Sequence, residues 1–147
     1  MAGKTTDKAR VVTQMQPPEV VARWLREVGS DTKIGAECRS HIEKEGLSLL
    51  VYLMFLCNPD TELEEAFENF QDQYRWYHED MKEAQQTAVT DARFRYLRSL
   101  SAPWPLGNSP EEWVMFEREA ATNYTIVPFE DRYYLFRTPP VVAPPSR

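Results

Sequence analysis

From residue 61 to 88, apolar side chains fall at Leu63, Phe67, Phe70, Tyr74, Tyr77, Met81, Ala84 and Ala88, at spacings that alternate between four and three. Between Glu62 and Val89 the only other apolar residues are Ala66, Trp76 and Val89 itself. That is the seam of an amphipathic helix in heptad-like register. Thr61-Glu62-Leu63-Glu64 reads as a capping box at its start, with the hydroxyl at the N-cap and Glu64 three residues on. Acids crowd the beginning and Arg93, Arg95 and Arg98 the end, as the helix dipole favours. Neither glycine nor proline interrupts the run before Pro103, so the pattern predicts one long helix over about 61–100.

Length sets a limit on that reading. A helix of roughly 40 residues is about 60 Å long, whereas a compact domain of this size is only about 38 Å across. Either the helix breaks near 87–91, where the seam loses register and Thr90-Asp91 offers a new cap, or it projects from the body. The break is preferred.

Upstream, Pro17-Pro18-Glu19 opens a helix whose apolar stripe is Val20, Val21, Trp24, Leu25 and Val28. A second helix starts at Asp31 or Thr32 and carries Ile34, Cys38 and Ile42, and Gly46 ends or kinks it. Leu47 to Cys57 is apolar on all sides and is read as an enclosed helix, because Leu and Met outnumber β-branched residues. Eleven residues of helix span only about 16 Å, too little for a bilayer. Downstream, Ser109-Pro110-Glu111-Glu112 is a second capping box, opening a helix with Trp113, Phe116 and Ala120. Thr125–Val127 and Tyr133–Phe136 read as a small hairpin, with Pro128 placing the first strand at an edge. Arg10-Val11-Val12 offers one more short strand.

The expected fold is therefore mainly α: a bundle of four or five helices with the long amphipathic helix and a C-terminal β-hairpin. Residues 1–15 form a flexible arm, 16–137 a single domain, and 138–147 a proline-rich extended tail.

Composition narrows the chemistry. The 147 residues carry a net charge of −6, which argues against direct nucleic-acid binding through phosphates. Cys38 and Cys57 are the only cysteines, and His41 and His78 the only histidines. Cys38-x-x-His41 lacks a paired second half for zinc. Glu37 and His41 are four apart, not the three of a di-iron Glu-x-x-His. Gly3-Lys4-Thr5-Thr6 lacks the strand and glycine that a phosphate loop needs before it. No catalytic residue, metal ligand or cofactor is expected. With no apolar stretch at the N-terminus, the chain reads as intracellular rather than secreted.

What remains is surface. Nine acids between Asp60 and Glu83 face only Arg75 and Lys82, a pattern fit for a basic partner or for mimicry of a phosphate backbone. Aromatic residues supply the candidate contacts: Trp76, Tyr77, Trp104 and Trp113. The expectation is a non-enzymatic subunit, adaptor or inhibitor within a larger assembly that binds another protein. The alternatives are a small enzyme built on carboxylates or tyrosines in a cleft, and an acidic nucleic-acid mimic.

Overall fold

The computed structural model describes residues 8–100 and 109–138. In chain order these form β1 (Arg10–Val11), α1 (Glu19–Glu27), α2 (Lys33–Glu45), α3 (Leu47–Phe55), α4 (Leu63–Gln73) and β2 (Tyr74–His78). Then come α5 (Met81–Leu100), α6 (Pro110–Asn123), β3 (Tyr124–Phe129) and β4 (Arg132–Arg137). The protein is mostly helical with a small C-terminal strand pair, as the apolar periodicities require. No helix of the described residues is long and apolar enough to cross a membrane.

The hairpin β3–β4 is the centre of a four-stranded sheet in the order β1-β3-β4-β2. Glu130 and Asp131 both take positive φ, 50° and 68°. A two-residue loop of that kind matches the right-handed twist of the strands it joins. β1 adds in parallel on one side, Arg10 opposite Thr125 and Val11 opposite Ile126. Its ladder closes with the Val12 amide donating to the Ile126 carbonyl. The next donor in line is the nitrogen of residue 128, which as proline has no hydrogen to give. Pro128 therefore ends the β1 pairing rather than marking β3 as an outer strand, a correction to its sequence reading.

Strand alternation sends side chains to both faces, and both are covered. Val127, Tyr134 and Phe136 join a core with Val21, Trp24, Leu49, Leu53, Phe67 and Phe70 from α1, α3 and α4. Tyr124, Ile126 and Leu135 join a second core with Ala84, Ala88 and Ala92 of α5 and Phe116 and Ala120 of α6. Cover on both faces explains why β3 is buried at four consecutive positions, Tyr124 to Val127, instead of alternating. The helices thus flank a sheet, where a bundle was expected.

The long helix over 61–100 is not formed. α4 ends at Gln73, β2 occupies Tyr74–His78, and α5 runs through 87–91 without a break. The four–three spacing survives this interruption for a geometric reason. Tyr74 and Tyr77 face Phe136 and Tyr134 across the sheet, with a register shift between Tyr74 and Trp76. In a regular strand, residues three apart lie on opposite faces; the bulge restores them to one face. A bulged strand therefore imitates a helical step. Aromatic residues at three of five positions, and a hairpin with an open side, favour pairing over continued helix.

Two caps were also read, with opposite outcomes. Ser109 and Glu112 form the expected reciprocal box. Thr61 does not cap α4: its amide donates to the Asn58 carbonyl in a turn that Asn58 also closes onto the Asp60 amide. The N-cap shifts to Glu62, with no side-chain bond.

Candidate functional site

The exposed aromatic surface centres on β2. Trp76 is 58% exposed, the most exposed large apolar side chain among the described residues. Its ring stacks on Tyr77 at 5.3 Å and leans on Tyr74 at 6.0 Å. The Arg132 guanidinium lies 4.2 Å from the centre of the Tyr77 ring, so Tyr77 carries both an indole and a cation. These residues, with Tyr134 and the Glu45–Ser48 corner between α2 and α3, line a cleft of about 310 Å³.

Gly46 makes that corner. Its φ of +79° lets α2 stop and α3 start on the next residue, a backbone state that side chains oppose. Inside the cleft the Tyr134 hydroxyl is buried, with the Arg132 guanidinium as its polar neighbour. Burial also pushes the Tyr74 phenol up to about 12, so it stays neutral. The cleft thus offers ring faces, a cation, the Glu45 carboxylate and the Tyr134 hydroxyl. No group in it is set up as a nucleophile beside a base.

The backbone of β2 adds a short open edge. The two-residue turn makes Phe129 and Arg132 a bonded pair, so Tyr133 and Leu135 point their amides and carbonyls toward β2. Their partners His78 and Trp76 answer them, and Tyr77, opposite Tyr134, points its own N–H and C=O away from the sheet. Among the described residues no strand lies on that side. Tyr74 is not open in this way, because its amide bonds Phe70 and its carbonyl accepts from Arg75.

Of the four residues singled out from sequence, Trp76 and Tyr77 therefore come together. Trp113 lies apart on α6, 38% exposed and edge-on to Phe116. Trp104 lies outside the described residues, as does most of the connector around it. Sequence reasoning missed Arg132 and Tyr134, which reach the cleft only through strand pairing with β2. His41 stacks on Phe67 at 3.8 Å. Both cysteines are buried, and burial followed by the nearby Glu65 pushes the Cys57 thiol up to about 11.

Neither a protein-family model, nor a curated protein, nor a solved structure matches this chain.

Proposed function

We propose that this chain is a non-enzymatic protein-binding subunit or adaptor that docks an extended segment of another protein across Trp76 and Tyr77. The observation that carries the reading is an indole 58% exposed on an outer strand, stacked on a neighbour rather than folded into the core. Large aromatic rings beside a pocket and an arginine are the composition of binding hot spots. An extended segment fits because Tyr77 leaves one amide and one carbonyl free for main-chain pairing. The Tyr134 hydroxyl supplies a further polar contact inside the cleft. A basic partner is favoured by the net charge of −6 and by the acids of α4 and the Glu79–Asp80 turn flanking β2. Trp113 of α6, 38% exposed, lies apart from this surface.

The test is affinity capture from the native source with wild type and Trp76→Ala side by side. A stoichiometric partner should be held by wild type and released by the variant, whose far-ultraviolet circular dichroism stays unchanged. Truncating a central hot-spot tryptophan costs about 2 kcal/mol or more, a weakening of roughly thirtyfold. Retention of the same partner by the variant would remove the reading.

A further inference from the structure

On the other face of the sheet, three arginines gather around the carboxylate of Asp91. Asp91, in the middle of α5, accepts from the Tyr124 hydroxyl. The same oxygen lies 3.2 Å from Arg95 Nε and 3.7 Å from Arg75 Nε. The third guanidinium, Arg137, comes from β4 opposite Tyr124. Its Nε is buried and unpartnered, and Arg75 Nε is buried without a hydrogen bond as well.

Arg95 and Arg137 border a cavity of about 250 Å³ between α5, α6 and the sheet. Arg95, Arg137 and Tyr124 form its polar wall, and Ala92, Met115 and Phe116 its apolar one. Glu119 also reaches it, but that residue is exposed and its carboxylate is held by the Asn123 side chain. Asp91 offsets one of the three positive charges, Asp72 acts on Arg75 as well, and Glu119, at the solvent edge, offsets little. Burial, and then the nearness of Arg95, lowers the Arg75 pKa, the signature of cations crowded away from water. A buried guanidinium nitrogen without an acceptor, beside an open cavity, is an attraction for an anion.

We infer that this cavity binds a small molecule that joins one oxyanion, a carboxylate or a phosphate, to a compact apolar body. The oxyanion bridges Arg137 and Arg95, and the apolar body lies against Phe116 and Met115. Asp91 and Tyr124 are positioning residues: they fix Arg95 and Arg75 so that Arg137 is the group with donors to spare. The inference does not depend on the reading of the aromatic cleft, which lies across the sheet.

The experiment is a titration followed by resolved amide and arginine side-chain NMR signals, with three probes of similar shape. Phenylacetate and phenyl phosphate carry the oxyanion; phenylacetamide is neutral. Saturable shifts at Arg95, Arg137, Tyr124 and Phe116 are expected with one or both anions, and which anion responds decides between carboxylate and phosphate. Phenylacetamide should leave these signals unmoved. Arg137→Gln should weaken the anion by roughly tenfold or more, and Arg137→Lys should weaken it less, because a charge-assisted contact is removed in one and blunted in the other. Equal response to the neutral probe, or no saturation with either anion by about 10 mM, the weak end of specific recognition, overturns the inference on the wild-type protein alone.

Discussion

Gly35 shows how closely single residues are fitted in this chain. A Cβ placed there would sit 1.9 Å from the Glu27 carbonyl oxygen at the end of α1. That oxygen is backbone, already bound by the Ser30 amide and hydroxyl, and cannot yield cheaply. Gly35→Ala should therefore destabilise the protein by roughly 2 kcal/mol, despite the better helix propensity of alanine. A denaturant midpoint measurement checks this, and an unchanged midpoint would mean that α1 and α2 do not meet there. Cys57 gives a second check. With its thiol held near 11, the native protein at pH 8 should react with a thiol reagent about a hundredfold more slowly than a free cysteine. In denaturant both cysteines should react at the ordinary rate. The raised value has a sign as well: the neutral thiol's contribution is complete below the unfolded pKa near 9 and is lost as pH climbs through 11.

Most helix starts with local signals were legible, although the box at Thr61 was not formed. Ser109-Pro110-Glu111-Glu112 holds its own start within four residues, and the same is true of Thr32, whose hydroxyl accepts the Gly35 amide. Ser109→Ala should cost about 1 kcal/mol in thermal unfolding, the ordinary value of an N-cap. The β3–β4 turn holds a reserve in the other direction. Asp131→Gly would remove a side chain from a backbone at φ 68° and should stabilise by about 0.5 kcal/mol, read as a raised thermal midpoint. β2 was not legible, because its reason for being a strand lies in β4, far along the chain. Tyr74 and Tyr77 carry helical spacing that only the bulge converts to a shared strand face. The same remoteness hid Arg132, Tyr134 and the Asp91–Tyr124 contact. Trp76 and Tyr77 stood out through residue type alone, which says that rings are used but not on which element.

For the molecule as a whole, β2 is the hinge of the account. Its inner side completes the sheet, its rings close the core of α3 and α4 through Tyr74 and Phe70, and its outer side presents Trp76. The turn at Glu79–Asp80 then reverses into α5, which brings Ala84, Ala88 and Ala92 onto the opposite face of the same sheet. Two helical layers on one small sheet follow from interrupting what would otherwise be one rod about 60 Å long. Amide hydrogen exchange resolved residue by residue across 70–84 tests this most directly. Trp76 and His78, bonded to β4, should exchange roughly a hundredfold or more slowly than Tyr77, whose amide faces outward. Even protection running unbroken from Phe70 through Ala84, as in a continuous helix, would contradict it.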